Sequence, residues 1–218
     1  MKNLIIIVLL FLINSCNGQE NKNNQKSKRE MITEQFNFQE YKNREQSDNT
    51  TYYTNDILVE EIVAKFPIVK EFHPNDYFKR VKIFYPNGSI HKIGKILGEN
   101  VEFDNWKIYN EKGELTSEEN KNKKFDKITP KELINILLQR KIINQTNRDA
   151  LVNKDGSSKI DFAFDDVTKK WFVTIIEGER LSPIEFQELA SSTNGEPSPF
   201  RSKQYIVDGK SGEVEEIE

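Results

Sequence analysis

Residues 82–96 read KIFYPNGSIHKIGKI and residues 106–120 read WKIYNEKGELTSEEN. The second stretch repeats the first. Tyr85 and Tyr109 stand 24 residues apart, Gly88 and Gly113 stand 25 apart, and an aliphatic residue, Ile90 or Leu115, follows each glycine. Val81, Ile83 and Tyr85 alternate as one face of a strand does, and Pro86-Asn87-Gly88 is turn chemistry, because glycine enters the left-handed backbone region that tight turns use. A strand, a glycine turn and a second strand recurring at this period predict stacked β-hairpins, each burying its apolar face with the help of the next.

On these residues the pattern resembles the repeats of the bacterial "toxin-antitoxin system antitoxin component" family, which are related to membrane occupation and recognition nexus (MORN) repeats. There a tyrosine-rich strand, an Asn-Gly turn and a second strand lead through a glycine-tryptophan step into the next hairpin. Trp106 takes the tryptophan position, with Asn105 where the glycine is usual. Upstream, Ile57, Leu58, Val59, Ile62, Val63 and Phe66, with Asn55 or Asp56 ahead and Pro67 behind, read as a short amphipathic helix. Residues 51–126 are therefore expected to form a β-hairpin repeat segment with a leading short helix.

Downstream, Thr129-Pro130-Lys131-Glu132 is a capping box with proline at the first helical position, and Leu133, Ile134, Leu137, Leu138 and Ile142 recur at helical spacing. Strand alternation follows in Ile160, Phe162 and Phe164 and in WFVTII (171–176). Ser182-Pro183-Ile184-Glu185 repeats the capping pattern and starts a helix through about Ala190. The chain closes on YIV (205–207), the turn DGKSG and EVEEI. Tyr205, Val207, Asp208, Ser211, Gly212, Glu213 and Val214 resemble the closing hairpin of PepSY-like domains of exported bacterial proteins. The expected class is α+β, with the hairpin-repeat segment followed by a small helix plus antiparallel-sheet domain over residues 127–218.

At the other end, one cation, Lys2, precedes ten apolar residues from Leu4 to Ile13. A spanning helix needs roughly 20 apolar residues, so this run reads as the core of a signal peptide over residues 1–15. Leu12-Ile13-Asn14-Ser15-Cys16 resembles the lipobox of bacterial lipoproteins, which implies cleavage between Ser15 and Cys16 and lipid on Cys16. That cysteine is the only one in the chain, so the mature protein is expected to fold without an internal disulfide. The tract NGQENKNNQKSKRE (17–30) is too polar to offset the entropy of ordering, and residues 16–50 are read as a flexible tether. By the same resemblance, Asn17 after the cysteine, in place of an aspartate, implies the outer membrane, facing the periplasm.

Removing Lys2 leaves 31 basic and 35 acidic residues, a formal charge of -4. That balance argues against nucleic acid as a partner, which calls for a basic stripe. His73 and His91 are both read as exposed, without the convergent neighbours that catalysis or a metal needs. Gly209-Lys210-Ser211 lies between two strands and lacks the earlier glycine of a phosphate loop, so it reads as a hairpin turn. Asp165-Asp166 and the acidic tail, Glu213, Glu215, Glu216 and Glu218, form no calcium-loop pattern.

No catalytic residue, metal site or cofactor is nominated. Trp171 and Phe172 are neighbours on one strand, so they cannot share a core unless both sheet faces are covered. Tyr85, Trp106, Tyr109, Trp171 and Tyr205 are the candidate binding surface. The expectation is a lipid-anchored, non-enzymatic binding module of the cell envelope with a protein or envelope-component partner. An immunity or inhibitor protein against a toxin or protease is the sharper form. The rivals are a hydrolase of envelope polymers using carboxylates from separate strands and a structural spacer.

Overall fold

The computed structural model describes residues 30–44, 49–143, 148, 151–153, 158–192 and 199–217. Ser15, Cys16 and the signal-peptide reading lie outside these residues. Seven strands, β1 (Asn49–Thr54), β2 (Ile57–Ile62), β3 (Ile68–Phe72), β4 (Lys79–Phe84), β5 (Ile90–Leu97), β6 (Val101–Tyr109) and β7 (Leu115–Asn120), pair in chain order as an antiparallel meander. Four more, β8 (Ile160–Asp165), β9 (Lys170–Arg180), β10 (Phe200–Asp208) and β11 (Val214–Ile217), form a second antiparallel sheet in the order β11-β10-β9-β8. Three α-helices, α1 (Phe38–Arg44), α2 (Pro130–Gln139) and α3 (Pro183–Ser192), and one turn of 3-10 helix at Lys121–Lys124 complete the described elements. The molecule is mainly antiparallel β with few helices.

The repeat explains the tips of two hairpins. At each, an asparagine carboxamide accepts backbone N–H groups, Asn87 from Ser89 (2.9 Å) and Asn110 from Lys112 and Glu114 (3.0 Å each). The glycines take positive φ, +87° at Gly88 and +78° at Gly113. The repeated tyrosines meet, since the Tyr85 hydroxyl donates to the carbonyl of Tyr109 (2.9 Å).

Two expectations are corrected. Residues 57–62 are β2 and not the start of a helix, because Asn55 and Asp56, read as a helix cap, both take positive φ (48° and 63°). That is the backbone of a two-residue hairpin turn, and it folds Ile57–Ile62 back onto Asn49–Thr54. Leu58 and Val59 then point to opposite faces and both are buried, so this strand is covered on two sides.

The second correction concerns the tether, whose last part is ordered on the sheet. Residues 30–36 run as a strap across the two repeat tips. Ile32 N–H donates to the carbonyl of Gly113 (3.0 Å), Phe36 N–H to that of Gly88 (2.8 Å), and Leu115 N–H to that of Glu30 (3.1 Å). A Cβ on Gly113 would sit 2.1 Å from the Ile32 carbonyl oxygen, so the repeat glycine also makes room for the strap. Phe36 and Tyr41 anchor the strap and α1 among Val59, Val69, Phe84, Ile90 and Tyr109. A few apolar residues in a polar tract suffice because the sheet presents a preformed apolar face.

The largest core joins the two sheets. Leu58, Phe72, Leu97 and Phe103 of the first pack in one cluster with Leu133 and Leu137 of α2 and with Trp171, Val173 and Val207 of the second. Trp171 is fully buried, stacks on Phe125 (centroids 5.2 Å apart) and donates its indole N–H to the carbonyl of Ile128 (2.9 Å). Helix α2 begins as its sequence predicts, with the Glu132 carboxylate accepting the Thr129 N–H (3.1 Å). Ser182 and Glu185 close the equivalent box at α3, with bonds of 2.8 and 3.3 Å.

Candidate functional site

The end of α2 builds one wall of a groove. Lys141 N–H donates to the carbonyl of Leu138 (3.0 Å) and Ile142 N–H to that of Leu137 (2.9 Å), a helix stop whose turning residue is left-handed. Glycine is the usual choice there. Here Lys141 takes φ +58°, at a cost of roughly 1–2 kcal/mol for a residue with a Cβ. The strands opposite are long: β9 and β10 run past the end of the helix, and their outer residues Glu177–Arg180 and Phe200–Gln204 are exposed.

Between helix end and sheet lies an open groove of about 500 Å³. Its apolar lining is Ile142, Ile175, Val214 and Tyr205, and its charged lining is Arg140, Lys141, Lys203, Glu177 and Glu216. Lys203 and Glu177 form an ion pair (3.2 Å), and that hydrogen bond holds the Lys203 ammonium above its usual range. Burial, and then the Glu216 carboxylate across the strand pair, push the Tyr205 hydroxyl up. The two carboxylates thus face Lys203 and Tyr205, while no ion pair ties Arg140 or Lys141 among the described residues. The groove joins an apolar floor to a rim with one surplus positive charge.

Of the aromatic candidates, only Tyr205 lines this groove. Trp171 and Tyr109 are 0% and 1% exposed and belong to separate cores. Trp106 is 3% exposed, lies over Gly94, where a Cβ would come within 2.1 Å of the ring, and its indole N–H has no partner among the described residues. Tyr85 is half-buried against His91 (centroids 4.4 Å apart). The five residues do not form one surface. The pair at 171 and 172 divides as strand geometry requires, with Trp171 inside and Phe172 on the opposite face.

His73 is exposed, but His91 is half-buried between Tyr85 and Phe66, where burial and then Lys92 lower its pKa. Gly209-Lys210-Ser211 is the turn between β10 and β11, with Asp208 accepting the N–H groups of Lys210 (2.9 Å) and Ser211 (2.8 Å). Asp165 likewise accepts from Val167 (2.8 Å) within the β8–β9 turn. Among the described residues no three His, Cys, Asp or Glu side chains are grouped to hold a metal ion, and no helix is long and apolar enough to cross a membrane.

The groove residues Arg140, Lys141, Glu177, Lys203 and Glu216 escape sequence reading because they come from four separate elements. One signal was present: a capped helix that ends on Arg-Lys without a following glycine. No protein-family model, curated protein or solved structure matches the chain.

Proposed function

We propose that the chain is a lipid-anchored cell-envelope protein, attached through Cys16, that acts as a non-enzymatic binding module through the groove at the end of α2. The observation that carries this reading is the combination in one open groove of an apolar floor, the Tyr205 ring and two cations, Arg140 and Lys141, that have no ion pair among the described residues. The lipobox-like sequence ending at Ser15-Cys16 supports the anchor, and Asn17 after the cysteine, in place of an aspartate, supports the outer-membrane, periplasm-facing address. In this proposal residues 51–126 form a hairpin-repeat segment of the MORN-like kind and residues 127–218 a PepSY-like α+β domain. An immunity or inhibitor role against a toxin or protease suits a protein displayed in the envelope, by analogy of fold.

A second reading has one observation in its favour, since Glu177 and Glu216 line the same groove and an envelope-polymer hydrolase would need two such carboxylates. Glu177 is spent on Lys203 and the groove is open to water, whereas a general acid must keep its proton by burial. Binding is therefore the better supported reading.

A photo-crosslinking amino acid placed at Tyr205, and separately at the exposed turn residue Val167 (91% exposed), tests the proposal in intact cells with and without Cys16→Ala. The expected result is an adduct with an envelope component from position 205 only, in a membrane fraction that Cys16→Ala empties. Equal or absent adducts at the two positions overturn the groove, and a Cys16→Ala protein still held on membranes overturns the anchor.

A further inference from the structure

The groove's charges divide unevenly along its length. Lys203 is taken by Glu177, and Glu216 faces the Tyr205 hydroxyl, so the sheet side is close to neutral. The helix side carries Arg140 and Lys141, both exposed and, among the described residues, both without an ion-paired carboxylate. Ile175, Val214 and Ile142 supply apolar lining to the same groove. Lys141 occupies a left-handed position, φ +58°, where glycine would close the helix with less strain, so the ammonium is kept at the expense of the fold. Backbone strain retained beside a groove points to a use for the side chain.

We infer that the groove takes an extended acidic peptide segment, seating a carboxylate between Arg140 and Lys141 and an adjacent apolar side chain on Ile175, Val214 and the Tyr205 ring. Arg140 supplies a planar fork of donors matched to a carboxylate and Lys141 a compact charge. The helix end alone would offer the wrong sign, because its free carbonyls repel an anion; the two cations reverse it. The apolar floor supplies the desolvated contact that exposed charges lack. The inference rests on the groove being the binding surface, and adds which class of partner fills it.

Panning a library of random dodecapeptides against the whole protein tests it, followed by fluorescence-polarisation titration of one selected peptide on the wild type and on Lys141→Gly. Selected peptides are expected to carry Asp or Glu next to an aliphatic or aromatic residue. Lys141→Gly is expected to weaken the titrated peptide by roughly tenfold, the loss of one charge-assisted contact, while its thermal midpoint stays or rises because glycine accepts the positive φ. Weaker binding then cannot come from unfolding. A library that returns no binders, peptides without acidic enrichment, or a Lys141→Gly affinity within about twofold of wild type overturns the inference. If crosslinking at position 205 has meanwhile captured an envelope component, only the ligand class falls; without that adduct, the groove falls with it.

Discussion

The two sheets are built alike and loaded differently. In the seven-stranded sheet successive residues of β2, Leu58 and Val59, are both buried, and even cations lie inside: Lys79 and Lys82 are each 6% exposed. Each is tied, Lys79 to Glu99 and Lys82 to Glu34 (2.6 Å) and Glu71 (2.5 Å), as desolvated charge requires. In the four-stranded sheet Trp171 is fully buried and its neighbour Phe172 is 39% exposed. One face is loaded and the other is open. The connections account for the contrast. The strap and α1 pack on the Val59 face of the first sheet and α2 with the second sheet on its Leu58 face, whereas α3 lies in the connection between β9 and β10, whose outer residues are exposed. Uncovered sheet beyond a helix end is what makes the groove.

The contrast would break if the sheets were separate folding units, and Trp171→Ala decides this with the largest expected effect. Truncating a fully buried tryptophan costs about 3–5 kcal/mol, here with the stacking on Phe125 and the bond to Ile128 lost as well. The chain has two tryptophans, so in this variant Trp106 alone reports, and it lies in the other sheet. Because Leu58, Phe72, Leu97 and Phe103 share a core with Trp171, urea unfolding followed by Trp106 fluorescence is expected to shift to lower denaturant. An unmoved Trp106 transition would make the two sheets independent.

The buried charges of the first sheet sharpen the contrast by a smaller amount. Glu99 receives Lys70 (2.8 Å) and Lys79; burial pushes its carboxyl up, but the hydrogen bonds from the two ammonium groups prevail and hold it at about 2. A carboxylate whose folded pKa lies below its unfolded value of 4.5 stabilises the fold fully above that value and loses the contribution as pH falls toward 2. Glu99→Gln leaves Lys79 short of its partner and is expected to cost about 1–2 kcal/mol at pH 7, a figure kept low because the Glu99 side chain is 41% exposed. Equilibrium unfolding of both proteins across pH checks it, with the difference expected to vanish near pH 2. A gap that stays constant with pH would remove the ion pair as its cause.

What was legible in the sequence follows the range of the interactions. The capping residues Thr129 and Ser182, the turn residues Asn87 and Gly88 and the strand alternation of Ile160, Phe162 and Phe164 act within a few positions, and each forms the element its spacing implies. Ile57–Phe66 misled because its apolar spacing suits either a helix or a strand buried on both faces, and only pairing with β1 and β3 decides between them. The strap was illegible for the same reason: Ile32 and Phe36 look isolated until Gly113 and Gly88 stand opposite them. Of the groove only Tyr205 was found, since Lys141 is informative through its φ and Glu177, Lys203 and Glu216 meet only in the folded sheet.

The smallest effect is expected on the open face of the second sheet. Register places Phe172 between Ala163 on β8 and Ile206 on β10, and Ile206 opposite Glu215 on β11. A phenylalanine with only cross-strand neighbours contributes roughly 0.2–1 kcal/mol through those pairs, so Phe172→Ser is expected to cost less than about 1 kcal/mol in urea unfolding. It should also leave groove binding unchanged, because residues at successive strand positions serve opposite faces. The neighbouring side chain on the same strand, Trp171, is thereby the internal control: adjacent positions, one sheet, and an expected difference of several-fold in cost. If Phe172→Ser instead lost as much as a buried large-to-small change, about 2 kcal/mol or more, the face would have to be covered in solution and the contrast between a doubly loaded sheet and a singly loaded one would fail.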